Sequence, residues 1–195
     1  MKLFSRLGLL SLVFMLGACG STPQSNYYRL NSTSSGGSGD TPALGIGPIQ
    51  IPEYLNRNAM VFNRGKNQLH IANFERWAEP LEEGVQRVLG LNLAGGLDTQ
   101  NIRPFPWRAS ETPDYGIQLW LLTLDITPDE ARLVAEWRVH KPQTNTEVAR
   151  RISRYQAPVS GADGAALSGS YSGLLEQLSE EIAAAIRRDM RAAGG

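Results

Sequence analysis

The chain has 195 residues, 42% of them hydrophobic, with 19 basic side chains, 19 acidic ones and a single cysteine. The balanced charge excludes the basic footprint of a nucleic-acid binder, and one thiol excludes an intrachain disulfide framework. The length is enough for one domain with a real core.

The first element is a targeting segment. Lys2 and Arg6 precede an apolar run over residues 7–16, ten residues long. A bilayer-spanning helix needs about 20 apolar residues, so the run reads as a secretory signal peptide and not as a transmembrane span. Leu16-Gly17-Ala18-Cys19 then resembles a bacterial lipobox, in which the thiol is alkylated with diacylglycerol and the chain is cut before the cysteine. The expectation is a signal peptide over 1–18 and a mature N-terminus at Cys19 bearing two or three acyl chains such as palmitate. Each buried methylene contributes about 0.8 kcal/mol, and two or more chains hold a protein on a membrane stably. Gly20-Ser21 includes no Asp, the residue that tends to retain enterobacterial lipoproteins at the inner membrane. The expected destination is therefore the periplasmic face of the outer membrane. Maturation would leave 17 basic residues against 19 acidic and no free thiol, which excludes thiol catalysis and cysteine-ligated zinc.

Residues 27–30, Tyr-Tyr-Arg-Leu, read as a short strand. Residues 31–42 form a Ser/Gly-rich stretch without large apolar side chains to offset its ordering entropy, so a mobile loop is expected within a lipidated N-terminal part over 19–43. The rest of a single domain would occupy 44–195. Residues 44–51 read as a strand ending at Pro52. Residues 60–62 and 68–71 flank Gly65-Lys66-Asn67 as a hairpin. Leu81, Val85, Val88, Leu89 and Asn92 lie at helical spacing, with Pro80 in the first turn, acidic Glu79, Glu82 and Glu83 at the start, and Gly95-Gly96 as a stop.

After a short strand at 102–105, residues 115–126 place apolar side chains on both faces, Ile117, Leu119 and Leu121 against Trp120, Leu122 and Leu124, which predicts a central strand buried on two sides. Residues 131–140 alternate strictly and predict burial on one face. In residues 147–157, Arg150 and Arg154 share a side with Val148 and Ile152, the pattern of an edge strand defended by charge. A long helix over about 165–191 carries one apolar stripe from Tyr171 to Ile186. The expected fold is α/β: a layered sandwich of a mixed central sheet, about five or six strands, with two main amphipathic helices.

Catalytic and metal motifs do not assemble. His70 and His140 are 70 residues apart in alternating strands. Gly169-Ser170-Tyr171-Ser172-Gly173 puts Tyr171 where a hydrolase elbow needs serine. Gly45-Ile46-Gly47 lacks the rest of a dinucleotide fingerprint, and Asp125, Asp129 and Glu130 lack calcium-loop spacing. A non-enzyme without metal or cofactor is expected. Two segments remain unexplained by propensity, residues 47–57 and 75–81. Trp77 beside Arg76 reads either as a helix-start staple within the core or as a partner-binding anchor.

These two segments carry a resemblance. Gly47-Pro48, Ile51-Pro52, Tyr54-Leu55 and Arg57, then Asn67-Gln68-Leu69, then Arg76-Trp77-Ala78-Glu79-Pro80-Leu81 running on to Arg87-Val88-Leu89, resemble the PqiC/YmbA-like family of ABC-type transport auxiliary lipoproteins. Asn56 stands where that pattern often has Asp. The resemblance implies a three-layer fold akin to anticodon-binding-like and TolB N-terminal-like domains. It implies a non-enzymatic periplasmic lipoprotein that works with an envelope-spanning MCE-domain protein in lipid transport or membrane integrity. Arg57, Arg76, Trp77 and Glu79 are then the expected partner-docking cluster. A scaffold lipoprotein of a cell-wall or secretion complex fits the same anchor and fold, a periplasmic hydrolase fits less well, and homo-oligomerisation is left open.

Overall fold

The computed structural model describes residues 23–65, 67–159, 161 and 163–194. The expected signal peptide over 1–18, Cys19 and Lys66 lie outside the described residues. The strands are β1 (Asn26–Tyr28), β2 (Leu44–Gln50), β3 (Ala59–Asn63), β4 (Leu69–Trp77), β5 (Ile102–Pro104), β6 (Tyr115–Ile126), β7 (Glu130–Lys141) and β8 (Thr146–Pro158). The helices are α1 (Leu81–Gly96) and α2 (Gly164–Ala193).

The fold is α/β, with the strands in two sheets. A five-stranded mixed sheet runs β5-β2-β6-β7-β8, its first two pairings parallel and its last two antiparallel. A three-stranded sheet, β1-β4-β3, stands beside it, with β1 parallel and β3 antiparallel to β4. The backbone N–H of Arg64 donates to the Gln68 carbonyl across the turn between β3 and β4.

Both helices pack on one face of the large sheet, α1 against β2 and α2 against β7 and β8, and against each other. Their buried stripes follow the 3.6-residue period, Leu81, Val85, Val88 and Leu89 in α1 and Leu167, Tyr171, Leu174, Leu178, Ile182 and Ile186 in α2. α2 begins with Asp163, whose carboxylate accepts the Ala166 N–H at 2.8 Å. Tyr171, in the elbow-like stretch, is a core residue that donates its hydroxyl to the Leu124 carbonyl at 2.9 Å.

Two expectations are corrected. β6 is central in strand order but is buried on one face only. A bulge at Leu122 inserts one extra residue between the pairs Leu121–Ala135 and Thr123–Val134, so Leu124 and Ile126 join Ile117, Leu119 and Leu121 on the core side. Leu122 itself is 47% exposed, and the face carrying Trp120 has no helix over it.

The stretch over 31–42 lies against the body as a strap. Leu30 is buried at its start, Asn31 N–H donates to Ser172 Oγ at 3.0 Å, and Ser38 N–H donates to Asp98 Oδ1 at 3.0 Å. Gly39 exchanges backbone hydrogen bonds with Asp98 and Gln100. Its contacts are hydroxyl, carboxylate and main-chain hydrogen bonds, which a lack of apolar side chains does not reveal.

α1 ends at Gly96, as expected, but the left-handed residue after it is Asp98, φ 51°, and not a glycine. Gly95 is where the strap meets the helix, since a Cβ there would lie 2.0 Å from Ser34 Oγ.

Candidate partner-binding site

The short 3-10 turn at Glu53–Leu55 and the residues after it bring the chain back beside the end of β4. There the Trp77 N–H donates to the Asn58 carbonyl at 2.7 Å, and the Ala78 N–H donates to the Tyr28 carbonyl at 2.8 Å. Trp77 is thus the last residue of a strand, not the first of a helix. Its indole is 4% exposed and stacks on Tyr171 of α2 with ring centroids 6.3 Å apart. The core reading of Trp77 is therefore correct and the surface-anchor reading is not: the indole forms the floor of the site.

Above that floor is a cavity of about 240 Å³ lined by Asn56, Arg57, Asn58, Trp77, Glu79 and Pro80. Three of the four expected residues, Arg57, Trp77 and Glu79, are thus brought together. Arg76 is not among them. Its guanidinium turns toward the N-terminal strand, donating to Ser25 Oγ at 3.3 Å and to the Asn73 carbonyl at 3.4 Å. Arg57 is exposed, and its guanidinium has no hydrogen-bond partner among the described residues. Glu79 does not cap α1. It forms an ion pair with Arg87, which also donates to the Leu30 carbonyl at 2.8 Å. Glu79 is thereby held between helix and strap, and its carboxylate passes over Gly84, where a Cβ would lie 3.3 Å from Oε1. At about one-third exposure this ion pair contributes at most about 1 kcal/mol.

The arrangement is a shallow recess with the Arg57 guanidinium, unpaired among the described residues, at the rim, a fixed carboxylate opposite and a rigid aromatic floor. That chemistry suits recognition of a polar or acidic group on a partner. Sequence reasoning assigned no role to Arg87 or Asn58 and gave Tyr171 only a place in the apolar stripe of the last helix. Arg87 stood only among the residues that carry the resemblance, while Asn58 acts through its backbone carbonyl and Tyr171 stacks on Trp77 from a distant helix, pairings that leave no local signal.

A second, larger cleft of about 420 Å³ lies between the small sheet, the turn after β6 and the start of α2, lined by Phe62, His70, Ala72, Phe74, Ile126 and Pro128 among others. His140 belongs to neither cleft. It is 8% exposed, lies over Gly116, and is pushed below its ordinary value of 6.5, first by burial and then by Arg138. Among the described residues no group of three metal-ligating side chains is present and no helix is long and apolar enough to cross a membrane.

The fold also has solved counterparts. A crystal structure of an uncharacterised protein superposes with a TM-score of 0.68 at 17% identity, covering 84% of this chain and 99% of that one. Protein XCC0632 from Xanthomonas campestris, assigned to the DUF330 family, superposes with a TM-score of 0.66 at 12% identity, covering 86% and 99%. In sequence, the model of the ABC-type transport auxiliary lipoprotein component family matches residues 28–183. The chain belongs to that family. It is similar to the intermembrane transport lipoprotein PqiC of Escherichia coli, 27% identical over 89 residues, which is 44% of this chain. The match spans about half the length of that relative, 48%.

Proposed function

We propose that this protein is the membrane-tethered, partner-binding subunit of an intermembrane transport system. In this reading Cys19 carries the acyl chains, the anchor sits in the periplasmic face of the outer membrane, and the folded domain receives the end of an envelope-spanning MCE-domain protein. The domain acts by binding and carries out no chemistry of its own. The observation that carries the reading is the family match across 28–183, which includes both clefts and the strap. The recess at Arg57 and Glu79 supplies a surface of the right kind, with a cation unpaired among the described residues beside rigidly held groups.

The test is fractionation and capture from the native envelope. The wild-type protein is expected to incorporate labelled palmitate, to sediment with outer-membrane vesicles, and to co-purify an MCE-domain protein. Cys19→Ala is expected to accumulate as uncleaved precursor without label. A wild-type protein captured with no MCE-domain partner would overturn the transport reading. A Cys19→Ala protein still processed and extracted only by detergent would overturn the lipid anchor.

A further inference from the structure

β8 is the outermost strand of the large sheet and is hydrogen-bonded to β7 along its 13 residues, while nothing among the described residues pairs with its other side. Every second residue of such a strand directs its N–H and C=O away from the sheet, so the free edge is a ready template for another strand. The usual structural protections are weak here. The bulge lies near the start, at the shift between Val139 and His140, and the single proline, Pro158, is the last residue. Between them residues 149–157 run unbroken over about 30 Å.

The side chains of this edge are unbalanced. β8 carries Arg150, Arg151 and Arg154 against one carboxylate of its own, Glu147; Arg150 pairs with Glu136 of β7 and Arg151 with Glu181 of α2, which leaves Arg154 unpaired among the described residues. Arg150, Ile152 and Arg154 pair with Arg138, Glu136 and Val134, so all three point to the sheet face that has no helix over it. Ile152 is 51% exposed and Leu122 on the same face is 47% exposed. Arg150 bonds Glu136 and lies 6.0 Å from the Trp120 ring centroid, which fixes its guanidinium at the rim of that apolar strip. Arg154 has no ion-pair partner among the described residues.

We propose that the free edge of β8 is a strand-addition site for an extended acidic segment of a partner protein. The outward residues at 150, 152 and 154 set a cation–apolar–cation pattern at period two. A strand paired beside them matches it with carboxylate, any residue, apolar residue, any residue, carboxylate. Main-chain hydrogen bonds then hold the segment, while the two arginines select its charge. A second copy of this chain is a poor occupant, because antiparallel pairing of two β8 edges about Ile152 sets Arg150 against the other copy's Arg154. The site is remote in sequence from the Arg57 recess and does not depend on the transport reading.

The test uses the full chain in detergent micelles and a labelled nine-residue peptide, Thr-Thr-Asp-Thr-Val-Thr-Glu-Thr-Thr, with a version carrying Lys in place of Asp and Glu as control. The acidic peptide is expected to bind saturably and to slow amide hydrogen exchange within residues 149–157, and the lysine version is expected to do neither. Arg154→Glu, which breaks no ion pair among the described residues, combined with Arg150→Gln, which gives up the exposed pair with Glu136, is expected to weaken binding about tenfold with melting lowered by no more than a few degrees. The single Arg154→Glu variant, expected to lose part of that effect, serves if the double variant melts early. Binding without protection of β8, equal binding of both peptides, or variants that bind as wild type would each overturn the proposal. So would protection of β8 that rises with protein concentration alone, which would make the occupant a second copy.

Discussion

Truncating Trp77 separates a floor from a contact surface. The indole is 4% exposed and stacked on Tyr171, so Trp77→Ala removes a large buried ring and leaves a void between the end of β4 and α2. Truncations of this kind cost about 3–5 kcal/mol, because the surroundings collapse only partly. For a domain of this size each kcal/mol lowers the melting temperature by about 2–4 °C, which gives a fall of about 6–20 °C. Arg57→Ala, at an exposed guanidinium unpaired among the described residues, is expected to stay within about 0.5 kcal/mol of wild type. Differential scanning calorimetry on both variants, followed by partner capture from the fraction still folded, reads the two roles apart. Folded Trp77→Ala keeps Arg57 at the rim and should still capture the partner, more weakly without the rigid floor, whereas Arg57→Ala should melt normally and capture poorly. A Trp77→Ala protein that melts within 2 °C of wild type while losing capture would refute the assignment of the indole to the core.

Three further outcomes follow from the packing and the charges. His140 is buried neutral, so the unfolded chain takes up its proton at higher pH than the folded one; the stability this contributes is present above about 6.5 and is lost as pH falls through the lowered folded value. The wild-type melting temperature should therefore fall between pH 7.5 and pH 5.5 by more than that of His140→Gln, and equal slopes would remove His140 as the cause. Gly95→Ala drives a methyl group into Ser34 Oγ and should cost about 1–3 kcal/mol, with faster hydrogen exchange over residues 31–39 and recovery when Ser34→Gly is added. Dialysis against a chelator should leave the melting curve unchanged, and a stoichiometric metal in the purified protein would contradict that.

Much of the secondary structure was legible because it is written in local periods. The stripe from Leu81 to Leu89 and that from Tyr171 to Ile186 define helical faces whatever they pack against. The alternation in β7 and the shared side of Arg150, Ile152 and Arg154 in β8 are likewise properties of the strand itself. The gathering of Arg57, Trp77 and Glu79 was legible through motif resemblance, since no local period links residue 57 to residue 79.

Other features were decided only by partners far along the chain. The bulge at Leu122 reverses the in–out parity of β6, and it exists because of how β6 pairs with β7; the local alternation alone placed Leu124 on the wrong face. Trp77 is buried because Tyr171, 94 positions later, stacks on it, and Arg76 leaves the recess because Ser25 and Asn73 hold it. The strap over 31–42 is laid down by Asn92, Asp98 and Ser172 through polar contacts. Hydrophobic periodicity is a property of neighbours in sequence and can be read from the chain. A hydrogen bond or a stacked ring joining distant residues has no such period, so the burial of Trp77 and the course of the strap come into view only once the two sheets and two helices are assembled.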